Sequence, residues 1–341
     1  MKKVLALIIV LSVVLSFAAC AGNDPAGKDG TETDGAALTK MTFALDWTQN
    51  TNHTGLYVAK EKGYFAEAGL DVDIVFIDGD SAAQIVASGR APFGIEAQDT
   101  LAAAYTVDEP LGITAVAAIL QHNTSGIISR KGDGIETPKG LSGKRYSTWD
   151  SPIELAMLRS LVEQDGGSWE DVQLIPNNIT DEPGALEADQ TDAIWVFYGW
   201  SGINADIRSF DYDYFFFKDI DPTFDYYTPV IIGNDEFMKE NPDVTRAFLA
   251  AVKKGYEFAV ENPEEAADIL IASDDTGALA GEAELVKQSQ QWLSKEYISD
   301  AASWGYIDPA RWDAFYGWLN DNGLVAKELP AGTGFTNEYL S

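Results

Sequence analysis

The sequence is poor in the residues that build disulfides and metal sites. Its 341 residues include one cysteine, Cys20, and two histidines, His53 and His122. A single cysteine excludes disulfide bonds within the chain and a cysteine-based metal site, and Cys20 precedes the part expected to fold, so that part has no thiol nucleophile. Two histidines exclude a multi-histidine metal site. We therefore expect no metal and no cofactor.

Basic residues are scarce as well. The chain has 23 lysines and arginines against 54 aspartates and glutamates, which gives a formal net charge of −31 at pH 7. Nucleic acids and anionic membrane surfaces are bound through basic patches, so we expect no nucleic-acid partner and no direct membrane contact of the folded part. The acidic surface is mainly a solubility feature, and it disfavours a highly anionic ligand.

Common catalytic motifs are absent too, since the sequence contains no G-x-S-x-G, H-E-x-x-H, P-loop or G-x-G-x-x-G pattern. Asp-x-Asp pairs occur, but none continues into a calcium-loop pattern, and we interpret them as solvated edges. These pairs are Asp71/Asp73, Asp78/Asp80, Asp211/Asp213 and Asp219/Asp221. We therefore predict a binding protein with no catalytic residue.

The first 20 residues are typical of a bacterial export signal. Lys2 and Lys3 are followed by an apolar run at 4–19, which is short for a spanning helix. Two alanines directly precede Cys20, a pattern that resembles the lipobox of bacterial lipoproteins, where the cysteine is acylated; ordinary secretion is the alternative. Residues 21–39 are small and polar, and we predict a flexible linker. The protein is thus expected outside the cytoplasm, anchored to the cell membrane by a lipid on Cys20.

Beyond the linker, strand-like and helix-like segments alternate, which predicts an α/β protein whose sheets are wound with helices. Arg130–Gly134 is polar and glycine-rich, and the alternation restarts after it, so we predict lobe one at 40–134 and lobe two at 135–225. The remaining residues, 226–341, are expected to return to lobe one and form C-terminal helices. A cleft between the lobes is the predicted binding site, and it would close on a ligand by a hinge motion.

The stretch Met41–Leu70 contains the first strand-to-helix junction. Alternating apolar residues from Met41 to Trp47 predict a strand, a polar loop follows, and a helix then runs to a stop at Gly63. In open α/β sheets, ligands bind at such junctions, beyond the carboxyl end of a strand. The junction offers a carboxylate, an indole, two amides and an imidazole, from Asp46, Trp47, Asn50, Asn52 and His53.

Aromatic residues recur at the ends of predicted strands, namely Trp47, Trp149, Trp195, Tyr198 and Trp200. Stacking on such side chains holds flat ligands, each contact adding about 0.5–1.5 kcal/mol beyond area burial. We predict ligand contacts here, although for Trp195, which lies mid-strand, a core position is the stronger alternative. Aromatics of the last helix instead have the i, i+3, i+4, i+7 spacing of a core-facing stripe, at Trp312, Phe315, Tyr316 and Leu319.

Polar residues near the strand ends could bind the edge of a flat ligand. Glu96 follows a short predicted strand, where a buried carboxylate can accept two hydrogen bonds from an aminopyrimidine edge. The alternative for Glu96, and more so for Asp99, is an ordinary acid at a helix start, favoured by the helix dipole. Ser151 is expected at a helix start in lobe two, where it either caps the helix or lets exposed N–H groups face the cleft.

These segments also carry a family resemblance. The motif L-D-W-T-x-N-T-N-H-T-G-L-Y-V-A-K-E-K-G-Y-F at 45–65, followed by G-L-D-V, resembles the opening of bacterial solute-binding proteins for the pyrimidine precursor of thiamine. It is also similar to the related eukaryotic pyrimidine-precursor synthases. The segments V-A-S-G-R-A-P-F-G-I, T-W-D-S-P-I-E-L-A-M-L and D-A-I-W-V-F-Y-G-W-S-G-I are similar as well. The resemblance therefore covers almost the whole folded chain.

The resemblance implies the two-lobed type II periplasmic-binding-protein fold with a helical C-terminal segment. It implies a monomer that delivers a small heterocyclic ligand, an aminopyrimidine, to an ABC permease and its ATPase. The ligand contacts that it implies are Trp47, Asn52 and His53, with others around Trp149–Ser151 and Tyr198–Trp200. One departure is Ser201, where relatives often carry an acid that would suit an aminopyrimidine.

Three alternatives stay open. The ligand could be riboflavin or another flat heterocycle, the protein could be a sensor that presents its ligand to a membrane receptor, or it could be a synthase. The synthase branch carries a cysteine-rich iron-binding stretch and a reactive lysine near the position of Glu96, whereas this chain has no cysteine after Cys20. Neighbouring genes for a permease and an ATPase would separate transport from sensing.

Overall fold

The computed structural model describes residues 37–77, 79–177 and 179–340. The predicted signal peptide, Cys20 and most of the predicted linker lie outside these residues. The folded unit begins at Ala37. Across the described ranges, no helix is both long enough and apolar enough to cross a membrane.

Among the described residues, ten strands form two five-stranded sheets. The strands are β1 Thr39–Ala44, β2 Leu70–Val75, β3 Phe93–Glu96, β4 Ile113–Ala118, β5 Ser125–Arg130, β6 Arg145–Thr148, β7 Gln173–Pro176, β8 Ala193–Phe197, β9 Tyr212–Phe216 and β10 Val230–Asn234. The first strand alternates as predicted, with Met41 and Phe43 buried, but it ends three residues before Trp47.

Helices connect the strands and make up most of the chain after β10. They are α1 Thr54–Glu61, α2 Tyr64–Glu67, α3 Ala82–Ala87, α4 Gln98–Thr106, α5 Pro152–Gln164, α6 Glu182–Glu187, α7 Ile203–Ile207, α8 Phe217–Ile220, α9 Asp235–Glu240, α10 Pro242–Glu261, α11 Pro263–Ala272, α12 Ala278–Gly281, α13 Ala283–Leu293 and α14 Pro309–Asp321. Short 3₁₀ turns lie at Thr51–His53, Pro138–Leu141, Trp169–Asp171 and Pro222–Phe224, and one π-helical turn lies at Tyr198–Gly202.

The two sheets repeat one arrangement. The first has the strand order β2-β1-β3-β10-β4 and the second has β7-β6-β8-β5-β9. In each sheet the strand in fourth place, β10 or β5, runs antiparallel to both of its neighbours. We call the first sheet with its helices lobe one and the second lobe two. The predicted wound α/β architecture is confirmed, with mixed rather than purely parallel sheets.

The chain enters lobe two earlier than predicted. Strand β5 pairs with β8 and β9 of lobe two, so the first crossing between the sheets lies at 119–124. The boundary predicted after residue 134 is corrected accordingly. The apolar pattern of β5 identifies a strand, but its partners depend on long-range pairing that a local pattern does not carry.

Helices α1 and α10 cross at a pair of glycines in lobe one. A Cβ atom on Gly55 would lie 2.3 Å from the ring of Tyr256, and one on Gly255 would lie 2.0 Å from the carbonyl oxygen of Gly55. Only glycine allows this close approach. The crossing fixes α1, and with it the loop between β1 and α1, against the C-terminal helices.

The stripe predicted on the last helix is confirmed as core. At most 2% of the surface is exposed for Trp312, Phe315, Tyr316 and Leu319 of α14. Their hydrophobic cluster also contains Trp195 of lobe two and Phe217. Phe217 begins the second crossing, 217–229, where the chain returns from β9 to β10 of lobe one. The core of the C-terminal segment is therefore continuous with that of lobe two.

A polar network ties the two crossings together. In the first crossing, His122 Nδ1 lies 2.7 Å from Asp225 of the second crossing, and Nε2 lies 3.1 Å from Asp300. The backbone N–H of Asn123 donates to the same Asp225 carboxylate at 2.9 Å, and Arg311 lies 3.5 Å from it. The hydrogen bond to Asp225 raises the pKa of His122, against the opposing effects of burial and of nearby cations.

We expect His122 to make stability depend on pH. Because its folded pKa is raised, its contribution is complete below the ordinary value of 6.5 and is lost as pH rises through the folded pKa. The difference in urea midpoint between wild type and His122→Gln should therefore shrink as pH rises above 6.5.

Asp300→Asn serves as the control for this experiment. It removes a partner whose side chain is 68% exposed, so it should change the midpoint little at any pH. A difference between wild type and His122→Gln that stays constant across the pH range would contradict the role given to His122.

Candidate functional site

The predicted site residues lie where each sheet changes its winding direction. β1 lies between β2 and β3 in lobe one, and β6 lies between β7 and β8 in lobe two. The connections that leave β1 and β3, and likewise β6 and β8, lead to opposite sides, and in sheets of this topology the ligand crevice lies beyond the carboxyl ends of such strands. The candidates follow β1 (Trp47, Asn52, His53), end β3 (Glu96), follow β6 (Trp149, Ser151), lie in the middle of β8 (Trp195) or follow β8 (Tyr198, Trp200).

Trp47 presents its indole to solvent in lobe one. The residue is 59% exposed, and its ring lies 6.3 Å from that of Phe76, which follows β2 and is 39% exposed. Asn52 is half-buried, and its side-chain amide forms no hydrogen bond with any residue that the structure describes. Lobe one thus offers a stacking face and a free polar group to a flat ligand.

Two tyrosines of the C-terminal segment hold the backbone of this loop. The hydroxyl of Tyr297 donates to the carbonyl oxygen of Thr51 at 2.6 Å, and that of Tyr256 donates to the carbonyl oxygen of Asn52 at 2.7 Å. Burial raises the pKa of both tyrosines, so both remain protonated donors at neutral pH. The C-terminal helices are therefore part of the framework of the site.

His53 does not reach the crevice, which corrects its predicted role as a ligand contact. Its side chain is fully buried, and both ring nitrogens are engaged. The backbone N–H of Asn50 lies 3.3 Å from Nδ1, and Nε2 lies 2.9 Å from Asp46 Oδ1. The side-chain oxygen of Asn50 also accepts a hydrogen bond from the backbone N–H of Asn52 at 2.9 Å. Asn50 therefore caps the 3₁₀ turn at Thr51–His53.

Glu96 lies beside this loop, at the end of β3. Its Oε1 accepts hydrogen bonds from the Ala97 N–H at 3.1 Å and from the Thr100 hydroxyl at 2.7 Å. Burial raises the pKa of Glu96, the two hydrogen bonds lower it, and the carboxylates of Asp46 and Asp99 raise it further. Burial likewise raises the pKa of Asp99 to about 6. Two carboxyl groups whose pKa is raised, those of Glu96 and Asp99, thus lie at and just after the end of β3.

In lobe two, one buried carboxylate builds the turn between β6 and α5. Glu154 is 4% exposed and accepts hydrogen bonds from the hydroxyls of Tyr146 at 2.6 Å and Thr148 at 3.1 Å. It also accepts the backbone N–H groups of Trp149 and Ser151, both at 3.2 Å. Ser151 is the N-cap and Glu154 the third helical residue. Glu154 was not among the predicted residues, although the S-x-x-E capping pattern could have revealed it.

The same turn displays Trp149. This residue is 51% exposed, and its ring lies 5.7 Å from that of Trp195. Between Trp149 and the helix, Asp150 has a left-handed φ of 62°, which aspartate adopts more readily than most residues. Trp195 is 5% exposed and packs 4.2 Å from Phe217, as a core residue would. Its Nε1 is buried and has no hydrogen-bond partner among the described residues, which leaves one unused donor.

Tyr198 and Trp200 lie on the π-helical turn and contact the C-terminal helices. Trp200 packs against a cluster that includes Leu270. The ring of Tyr198 lies 5.1 Å from that of Trp292, and its hydroxyl donates to Asp206 at 3.1 Å. The structure thus gives both side chains packing partners that the sequence did not predict.

A groove of about 690 Å³ lies between β9 and α13, beside Tyr198. Its other walls include Tyr212, Phe216, Lys218 and Trp292. No residue of the loop after β1 or of the turn after β6 lines it. Of the predicted site residues, the groove therefore shares Tyr198 but none of those that follow β1 or β6.

Ser289 of α13 links the two lobes. Its buried hydroxyl donates to the carbonyl oxygen of Gly199 and lies 2.7 Å from the hydroxyl of Thr51. A Cβ atom on Gly199 would lie 2.8 Å from Leu293, so the π-helical turn rests directly on α13. One helix therefore brings the loop after β1 and the turn after β8 together.

The sequence is similar to a known protein family. A family model described as NMT1/THI5 like matches residues 50–266, more than half of the chain. The chain belongs to the NMT1/THI5-like family. A formylaminopyrimidine-binding protein of Halalkalibacterium halodurans is 30% identical over 339 residues, covering 97% of this chain and 98% of that protein.

Relatives of this NMT1/THI5-like chain also include enzymes. The 4-amino-5-hydroxymethyl-2-methylpyrimidine phosphate synthase THI11 of Saccharomyces cerevisiae is 27% identical over 246 residues, 67% of this chain and 69% of that protein. Among solved structures, the alkanesulfonate-binding protein SsuA from Xanthomonas axonopodis pv. citri, bound to MOPS, superimposes with a TM-score of 0.65 at 11% identity. The likeness covers 88% of this chain and 99% of that one. The expected two-lobed type II periplasmic-binding-protein fold is confirmed.

We expect Ser289→Ala to weaken the link between the lobes of this NMT1/THI5-like protein. The substitution leaves the Gly199 carbonyl and the Thr51 hydroxyl without their buried partner, which should lower the free energy of unfolding by about 1–3 kcal/mol. Urea unfolding followed by tryptophan fluorescence measures the change. Ser294→Ala is the matched control, because the Ser294 hydroxyl donates to Gln291 near the end of the same helix. Equal losses in both variants would contradict a linking role.

Proposed function

We propose that this chain is the extracytoplasmic solute-binding component of an ABC importer and that its ligand is an aminopyrimidine precursor of thiamine. The formylaminopyrimidine-binding relative and the periplasmic-binding-protein fold support the proposal. The ligand would lie between the lobes, beyond the carboxyl ends of β1, β3, β6 and β8. The protein would bind and release it without chemistry.

The observation that carries the proposal is the exposure of two tryptophans. Trp47 and Trp149 are 59% and 51% exposed, one in each lobe, and both lie at switch points of their sheets. Large aromatic side chains are usually far more buried, so their exposure at these edges favours a ligand role. Each would stack on a face of a flat ring, adding about 0.5–1.5 kcal/mol per contact beyond area burial.

Polar groups near the indoles suit the edge of an aminopyrimidine. Glu96 offers a carboxyl group and Asn52 a free amide, whereas the unpartnered N–H of Trp195 is buried and would reach a ligand only after the lobes move. Two stacking faces and several such hydrogen bonds are enough for sub-micromolar affinity, about −8 kcal/mol or better. Hinge closure of the lobes would bring the two sets of groups around the ring.

Binding is favoured over synthesis of the pyrimidine. Synthases are among the relatives, but this chain has no cysteine after Cys20, and Glu96 stands near the position where the family resemblance implies a reactive lysine. A flavin-like ligand or a sensing role would be compatible with the same fold. Genes for a permease and an ATPase beside this gene would favour transport.

The proposed location is outside the cytoplasm, and the binding-protein relative and the fold support it. We further propose that Cys20 becomes an acylated N-terminus bearing palmitate-type chains. Residues 21–36 would then link the folded unit to the membrane. The working form would be a monomer that docks on the permease of the importer.

We expect Trp47→Ala to weaken the binding of formylaminopyrimidine by about 1–3 kcal/mol, because a stacking face and its buried area are lost. Isothermal titration calorimetry measures the change. Tyr306→Ala is the control, since Tyr306 is 41% exposed and lies on none of the crevice loops. Unchanged affinity in a folded Trp47→Ala variant would remove Trp47 from the site.

We also expect the ligand to leave the protein unaltered. A protein that supplies stacking faces and hydrogen bonds, with no catalytic group, should return the same pyrimidine after prolonged incubation. Mass spectrometry of the released ligand tests this. A modified pyrimidine that accumulates in proportion to protein and time would contradict the binding function and favour a synthase.

A further inference from the structure

A short hydrogen-bonded chain in the loop after β1 ends at an acid. The backbone N–H of Asn50 donates to His53 Nδ1 at 3.3 Å, so Nδ1 is the acceptor and the ring proton is assigned to Nε2. Nε2–H therefore donates to Asp46 Oδ1, 2.9 Å away. The chain fixes the orientation of the Asp46 carboxylate.

Burial separates the roles of these two side chains. The His53 side chain is fully buried, whereas that of Asp46 is 30% exposed. Asp46 Oδ2 accepts no hydrogen bond from any residue in the described ranges. His53 cannot touch a ligand in this arrangement, but the free oxygen of Asp46 can.

Glu96 lies beside Asp46 at the same edge of the sheet. β1 and β3 are parallel neighbours, and Ala44 of β1 lies opposite Gly94 of β3. Asp46 comes two residues after Ala44 and Glu96 two residues after Gly94, so the two acids reach the same edge of the sheet. Within the part of the chain that the structure describes, neither carboxylate forms an ion pair with a lysine or an arginine. The free oxygen of Asp46 therefore accepts hydrogen bonds from a ligand and repels carbonyl oxygens, whereas Glu96, whose pKa burial raises, can accept or donate.

Lobe two supplies the opposite kind of group. The Nε1–H of Trp195 is buried and unpartnered, and the Trp195 ring lies 5.7 Å from the exposed Trp149 ring. A buried donor without a partner is costly, so a ligand acceptor that reaches this N–H once the lobes close would recover that loss. A ring with an amino group on one edge and an acceptor on another matches both lobes.

We propose that Asp46 accepts a hydrogen bond from the exocyclic amino group of the ligand, and that His53 is the positioning residue that holds Asp46 for this contact. The inference rests on the proposed function and names the residue that selects the ligand. An aminopyrimidine presents N–H donors to Asp46 and Glu96. The dione edge of a flavin presents two carbonyl oxygens, which the free oxygen of Asp46 repels, so a flavin ligand is disfavoured.

The experiment compares two ligands that differ in one group: an aminopyrimidine and its analogue with a ring carbonyl in place of the amino group. Wild type should bind the amino compound at least about tenfold more tightly, and Asp46→Asn should weaken that binding by about tenfold to a hundredfold. Because the asparagine amide can donate a hydrogen bond to a carbonyl oxygen, the preference of Asp46→Asn for the amino compound over the carbonyl analogue should shrink or reverse. Asp243→Asn, which removes an exposed charge in the first turn of α10, should keep the wild-type preference.

Two variants of His53 test its positioning role. His53→Gln keeps a donor for Asp46 and should retain most of the preference for the amino compound, whereas His53→Ala should lose it. The preference is a ratio of two affinities measured on one protein, so a partly unfolded sample does not change it. If His53→Ala fails to fold, the ratio of the two ligand affinities measured on Asp46→Asn tests the proposal instead.

Failure of this inference differs from failure of the proposed function. Wild-type affinity and wild-type preference in Asp46→Asn would overturn the inference and leave the proposed function intact. A wild-type protein that binds neither pyrimidine would overturn the proposed function, and the inference with it.

Discussion

Buried hydroxyl groups of the C-terminal segment hold the loop that follows the first strand, and the rest of the site depends on this contact. Tyr256, Tyr297 and Ser289 bond to groups of Thr51 and Asn52 that lie more than 200 positions away in the chain. A buried carbonyl left without its donor would cost about 1–3 kcal/mol, so the loop and the helices keep their relative positions. Since Ser289 also binds Gly199, the same contact reaches lobe two.

Both lobes build their half of the crevice in the same way. A buried polar side chain orders the turn beyond a central strand, and the indole in that turn stays exposed. In lobe one, His53 binds the backbone of the loop and Asp46, beside the exposed Trp47. In lobe two, Glu154 accepts four hydrogen bonds beneath the exposed Trp149. The exposed rings therefore stand on rigid turns, which lowers the entropy lost when a ligand is bound.

Local patterns in the sequence predicted the elements well because strand and helix periodicity reports which face is buried. The junction at Trp47 and the core stripe of α14 follow from such patterns. Local patterns did not predict the partners of β5, the burial of His53 or the packing of Trp200, because each depends on residues far away in the chain. Tertiary contacts decide whether a polar or aromatic side chain at a strand end faces a ligand or a neighbouring helix.

A crystal structure of the protein with formylaminopyrimidine bound tests the central claim most directly. The account predicts that the pyrimidine ring lies between the indoles of Trp47 and Trp149, with ring atoms in van der Waals contact at about 3.5–4 Å on each face. A ring bound instead in the groove between β9 and α13, with both indoles still exposed to solvent, would contradict it.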